Sequence, residues 1–175
     1  IPRENDVSHL SLIIIGEEVA RDGLNLVFDG VERGENARTY MPVFIARGSS
    51  AEDILGVIEP IESNPSKSII STSENNQKMY ASAKVMPVYE VISALSSEGT
   101  NPLLTGIKLN KDLKTRNQTE NLQDIEPSII KVSGLAIFNQ DKLVNWYDRE
   151  MARTAHLIRS ELEITSFPIS CDENK

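Results

Sequence analysis

The stretch HLSLIIIGEEVARD, His9–Asp22, joins a continuous apolar run to a charged helical one through a single glycine. The run is rich in β-branched residues and lacks polar alternation, so it predicts a strand buried on both faces, as in a parallel sheet. Glu17 and Glu18 then open a helix favourably, because carboxylates complement the partial positive charge at a helix N-terminus. Gly23 stops or kinks that helix, and LNLVFDGVER resumes it at a new angle.

A second strand follows at MPVFIAR, Met41–Arg47, and then GSSAEDILGVIEPI. Ser49 or Ser50 can cap this next helix, with Glu52 and Asp53 in its first turn. Ile54, Leu55 and Ile58 fall on one face at helical spacing. Two strand–helix pairs in succession imply a right-handed crossover and a partly parallel sheet. NPSKSIISTSENNQKM and MPVYEVISALSSEGTNP predict two further helices, the second with Pro87 near its start and Gly99 as its stop.

LLTGIKL, Leu103–Leu109, predicts another strand. From Asn110 to Pro127 the sequence is polar and aperiodic, which predicts an exposed loop. IIKVSGLAIF and KLVNWY, separated by the turn-forming NQD, then predict a β-hairpin. Asp148 caps REMARTAHLIRSELE, with Met151, Ala155, Ile158 and Leu162 as the buried stripe. The chain leaves as ITSFPISC, an extended segment holding Pro168. The fold class is α/β to α+β, a mixed sheet with flanking helices.

With 18 basic and 26 acidic side chains the net charge is -8, so non-specific attraction to nucleic acid is not expected. Apolar residues make up 39%, enough for a packed core and too many for a disordered chain. No apolar run reaches the roughly 20 residues that span a bilayer. The opening Ile1-Pro2-Arg3 carries neither an initiator Met nor a signal peptide, which suggests a piece of something longer.

Chemistry is sparse. His9 and His156 lack metal-ligand partners at helical or loop spacing, and both are read as structural histidines. The pairs Glu17/Glu18, Glu52/Asp53, Asp148/Glu150 and Asp172/Glu173 sit at helix starts or in a tail, where acids occur without a catalytic role. Cys171 is alone, and its acidic neighbours disfavour the thiolate, so it reads as an unreactive thiol. No nucleotide-binding, hydrolase or zinc motif occurs, so no catalytic, cofactor-binding or metal site is assigned. In ERGENAR, Glu32–Arg38, the residues Arg33 and Arg38 flank Glu35, either as an ion-pair network fixing the loop or as contacts for a partner carboxylate. Strict alternation puts Lys142, Val144 and Trp146 on one face of the hairpin and Leu143 and Asn145 on the other. Trp146, the only tryptophan, then either plugs the junction between two units or contacts another subunit, the junction being preferred.

Several of these segments together resemble one family. HLSLIIIGEEVARDG is similar to its strand followed by G-E-E-x-A-x-x-G, and Arg33, Glu35 and Arg38 resemble its R-x-x-E-x-R element with the acid one place early. SSAEDIL resembles a small-residue-A-x-[ED]-I-L helix start. Gly134, Ala136, Ile137, Phe138, Asp141, Lys142, Leu143, Val144 and Trp146 match a G-x-A-[IV]-F-x-x-D-K-L-V-G-[WY] hairpin, with Asn145 where the family has Gly. The chain is thereby identified as resembling the C subunit of nutrient germinant receptors, the GerAC/GerBC-like lipoproteins of Bacillus-type spore formers.

The resemblance implies a non-enzymatic, lipid-anchored subunit beside A and B subunits, on the outer surface of the spore inner membrane. The lipid anchor would lie outside this sequence, and no cofactor is implied. Its role would be receptor assembly and nutrient-triggered germination; the alternative is a module that binds the small-molecule germinant. The implied organisation is multi-domain, with 1–130 as an N-terminal α/β domain lacking its extreme N-terminus. Residues 131–175 would be a hairpin–helix–strand segment of the middle domain leading toward a third. The hairpin belongs to that second unit or returns to the sheet of the first.

Overall fold

The computed structural model describes residues 10–32, 39–56, 65–109 and 130–162. His9, Arg33, Glu35, Arg38, Ile58, the polar stretch after Leu109 and Cys171 lie outside the described residues. A mixed six-stranded sheet with flanking helices organises the rest, an α+β architecture.

Strands β1 (Ile13–Gly16), β2 (Pro42–Ala46) and β4 (Leu103–Leu109) are parallel neighbours in that order. The two-residue β3 (Met86–Pro87) pairs antiparallel with the start of β2. On the far side of β4 come β5 (Ile130–Asn139) and β6 (Lys142–Tyr147), antiparallel hairpin strands that extend the same sheet. Gln140, at φ 58°, and Asp141 form the tight turn between them.

The parallel strands alternate apolar residues to both faces, which a sheet covered by helices on each side requires. On one face Ile15, Val43, Ile45 and Leu104 pack with Ala20 of α1 (Glu17–Asp22), Leu24, Phe28 of α2 (Asn25–Glu32) and Val91 of α5 (Val88–Ser96). On the other, Phe44, Ala46 and Ile107 meet Ile54 of α3 (Ala51–Leu55) and Ile69 of α4 (Pro65–Tyr80). A smaller cluster of Leu103, Leu135 and Tyr147 seats Ala152 of α6 (Arg149–Ile158).

The expected caps form. Ser50 Oγ accepts from Asp53 N at 2.9 Å, and Asp148 Oδ1 accepts from Met151 N at 3.0 Å. Each satisfies one of the free N–H groups of a helix start.

Three sequence readings are corrected. On α3 Ile54 is buried, but Leu55 is exposed, because the helix ends there and turns only one apolar side chain to the sheet. The α6 stripe also lies elsewhere: Met151 and Ile158 are exposed, whereas Ala152 and His156 are buried. Only a small residue lets the helix approach Leu103 and Leu135, so Ala152 sets the contact face and the larger apolar stripe points outward.

Strict alternation along β6 fails as well. The register passes from Phe138↔Leu143 to Ile137↔Asn145, so Val144 is an extra residue, a β-bulge. The bulge turns Leu143 and Trp146 to the same face and leaves Val144 exposed. Asn145 fits this irregular spot, since its Oδ1 accepts from Trp146 N at 2.9 Å.

Candidate functional site

Glu17 and the segment Arg47–Gly48 follow the carboxyl ends of β1 and β2 directly. Open α/β sheets bind ligands outside such strand ends. Here the space is occupied by a side chain from β6. The Trp146 indole lies over Gly106 of β4, where an added Cβ would stand 2.5 Å from Cζ3 and 3.1 Å from the Ser133 carbonyl. A glycine two strands away thus makes room for the ring, with buried Ala136 opposite Trp146 in the strand between.

Two polar contacts fix the indole, and a third fixes the arginine stacked on it. Its Nε1 donates to Glu17 Oε1 at 3.2 Å, and the Arg47 guanidinium stacks 4.7 Å from the ring centroid. Arg47 Nη1 also donates to the Ser133 carbonyl at 2.7 Å. A guanidinium over a Trp face gains from the ring quadrupole, and its planar fork allows the in-plane hydrogen bond as well.

Glu17 joins the parts. Oε1 also accepts from Arg21 Nη2 at 2.6 Å, and Oε2 accepts from Gly48 N at 3.3 Å. Burial tends to raise its pKa, but Arg21, the Trp146 N–H and the Gly48 N–H together hold the carboxyl below its ordinary value. A carboxylate so engaged is a poor proton donor at neutral pH. Seven residues on, Leu24 N donates to the Asp141 carbonyl at 2.9 Å, tying the start of α2 to the hairpin turn.

A second polar cluster lies under α6. His156 is 4% exposed; its Nδ1 lies 3.2 Å from Glu161 Oε2, and Lys84 Nζ donates to Glu161 Oε1 at 2.6 Å. Burial lowers the His156 pKa, Glu161 raises it, and the Lys84 charge lowers it again. Glu161, whose burial raises its pKa, is brought below the ordinary carboxylate value chiefly by Lys84 and then His156.

Of the residues singled out in the sequence, Trp146 is half-buried in the first cluster and Lys142 is exposed beside the hairpin turn. The structure brings Trp146 to Glu17, which the sequence offered only as a helix-start acid. Arg47, Lys84 and Glu161 were missed altogether. Arg47 alone left a signal, a cation directly after an apolar strand and before a glycine. Among the described residues no group of His, Cys, Asp and Glu can hold a metal ion, and no helix is long and apolar enough to cross a membrane.

Residues 1–109 match the spore germination protein N-terminal domain. The chain is 27% identical over 135 residues to spore germination protein KC of Bacillus subtilis (strain 168), covering 76% of this chain and 33% of that protein. It is 27% identical over 167 residues to the putative spore germination protein YfkR of the same organism, covering 95% of this chain and 40% of that one. It therefore spans between a third and two-fifths of the length of these relatives. No solved structure matches. A domain match extending over more than half of the sequence shows that the chain belongs to the spore germination protein family, with the N-terminal domain characteristic of that family.

Proposed function

We propose that the chain is part of a germinant receptor C subunit and acts without catalysis, in assembling a receptor that triggers germination. Family membership supports the spore germination setting. The observation that carries the non-catalytic reading is the fate of the strand ends. Where an α/β enzyme would open a cleft, Glu17, Arg47 and Trp146 engage one another and join α1 to the β5–β6 hairpin. Such a cluster stabilises a shape, and shape is what an assembly subunit presents.

On this reading the partners are the A and B subunits, and a lipid anchor outside this sequence holds the protein at the outer surface of the spore inner membrane. Arg33, Arg38 and Lys142 are proposed as structural or partner-contact residues, and Trp146 as a junction residue. Affinity purification of the anchored full-length protein from spore membranes tests the proposal. The A and B subunits should co-purify, and their levels should fall when this subunit is deleted. Intact A–B complexes in the deletion strain would overturn it. Calorimetric heats with a nutrient amino acid or sugar would favour the germinant-binding alternative instead.

A further inference from the structure

We propose that His156, Glu161 and Lys84 form a proton-sensitive clasp that seats α6, and that mild acid releases α6 while the sheet stays folded.

The anchor is the sheet itself. Thr105 of β4 is fully buried; its Oγ1 accepts from Lys84 N at 2.8 Å and donates to the Lys84 carbonyl at 2.7 Å. Lys84 is thus fixed through its backbone to the centre of the molecule. Its ammonium then reaches Glu161, 77 positions along the chain. Glu161 follows Ser160, whose φ of 57° reverses the chain after α6, and Glu161 N donates to the His156 carbonyl at 2.9 Å. The reversal brings the carboxylate under the helix it has just left, against His156 Nδ1.

A nitrogen facing a carboxylate carries the proton, so the neutral ring presents Nδ1–H to Glu161 and a bare Nε2 on its other side. Nε2 is buried and lacks a well-formed hydrogen bond, the Ala83 carbonyl attracting the ring's proton only weakly. With so little accessible surface it offers a ligand no contact, and the adjoining cavity of about 200 Å³ is not read as a binding site. Protonation would place a positive charge there.

The charged surroundings decide what that costs. Lys84 faces the ring from the segment before β3, Lys78 lines the cavity from α4, and among the described residues Glu161 is the one carboxylate lining it. Arg153 on α6 and Arg159 just past its end flank His156 in sequence and donate to the carbonyls of Tyr80 and Asn101. Glu161 already answers Lys84, so a second cation beneath α6 would share one anion with it. Burial accordingly keeps the ring neutral at neutral pH, despite the pull of Glu161 and the Ala83 carbonyl toward the protonated form. Undocking exposes the ring and restores its ordinary basicity, so acid favours the undocked helix. With only Ala152 and His156 buried on it, α6 has little apolar contact to resist, whereas the sheet keeps two large clusters that do not involve α6.

Hydrogen exchange on the full chain, corrected for intrinsic rates, tests this between about pH 7.5 and pH 5.5, a range spanning the ordinary histidine pKa. Protection of 149–162 should fall roughly three- to tenfold relative to β2 and β4, and His156→Gln should abolish that relative fall. Protection that falls equally in helix and sheet, or in parent and variant, overturns the proposal. Should the variant fail to fold, an NMR titration of the parent decides, with His9→Gln assigning the second histidine. The α6 amide shifts must then follow the His156 ring titration, and amides that stay still through it overturn the clasp.

Discussion

The Trp146 indole nitrogen donates to Glu17 Oε1 across 3.2 Å, joining residues 129 positions apart. Glu17 begins α1 and Trp146 lies near the end of β6, so among the described residues this bond ties the first helix to the last strand. Trp146→Ala should destabilise the chain by about 3 kcal/mol, the low end for a large aromatic, because the ring is only half-buried. Trp146→Phe keeps a ring over Gly106 and loses the N–H, and should cost about 1–2 kcal/mol. Urea unfolding followed by circular dichroism gives both values. An Ala variant that melts with the parent would make Trp146 a surface residue with no structural role.

The same carboxylate sets a pH dependence. Although burial works the other way, Arg21, Trp146 and Gly48 hold Glu17 below 4.5 in the folded chain. The folded state therefore binds fewer protons here than the unfolded one. The stability this group contributes is complete above about pH 4.5 and is lost as pH falls through its folded value. Glu17→Gln should flatten the fall in urea midpoint between about pH 6 and pH 3 without abolishing it. The remaining slope would include Glu161, another carboxylate held low, by Lys84 and His156 against the effect of its burial. An unchanged slope would mean that Glu17 is not engaged in solution.

Two glycines should respond in opposite directions to alanine. Gly134 has φ 78°, and an added Cβ would run into the Tyr147 carbonyl oxygen on β6. The extra residue that β5 places opposite Gly106 of β4 falls at this point, so the backbone cannot relax without breaking the ladder. Gly134→Ala should cost about 2–4 kcal/mol. Gly30 is exposed on α2 with nothing within 4 Å of its Cβ position, and Gly30→Ala should add about 0.5–1 kcal/mol. Thermal unfolding of the two variants separates backbone strain from ordinary helix propensity.

What the sequence revealed follows from how local each signal is. The apolar runs at Ile13–Ile15 and Val43–Ala46, the Ser50 and Asp148 caps and the NQD turn are decided by neighbours within a few residues, and all stand in the structure. The Val144 bulge was hidden, because alternation assumes a constant register and the bulge arises from pairing with β5. The Glu17–Arg47–Trp146 cluster was hidden for the same reason: its members come from three separate strand ends. Trp146 was singled out by its size and rarity, but its partners could not be. The sequence marks His156 only as a structural histidine, since its company comes from a chain reversal at Ser160 and a lysine fixed through Thr105.

The helix α6 provides the last test, because periodicity and structure assign it different faces. Periodicity puts Met151, Ala155 and Ile158 inward. In the structure Ile158 is 78% exposed and Met151 52%, while Ala152 is fully buried against Leu103 and Leu135. A charge at the true contact face would be desolvated without a partner, whereas the same charge on the stripe would stay in water. Ala152→Glu should therefore destabilise by about 3 kcal/mol or more, and Ile158→Glu should change stability by less than about 0.5 kcal/mol. Urea unfolding of both variants is sufficient. A large loss for Ile158→Glu with a tolerated Ala152→Glu would mean that α6 packs in solution through the stripe and that its seat on β5 is wrong.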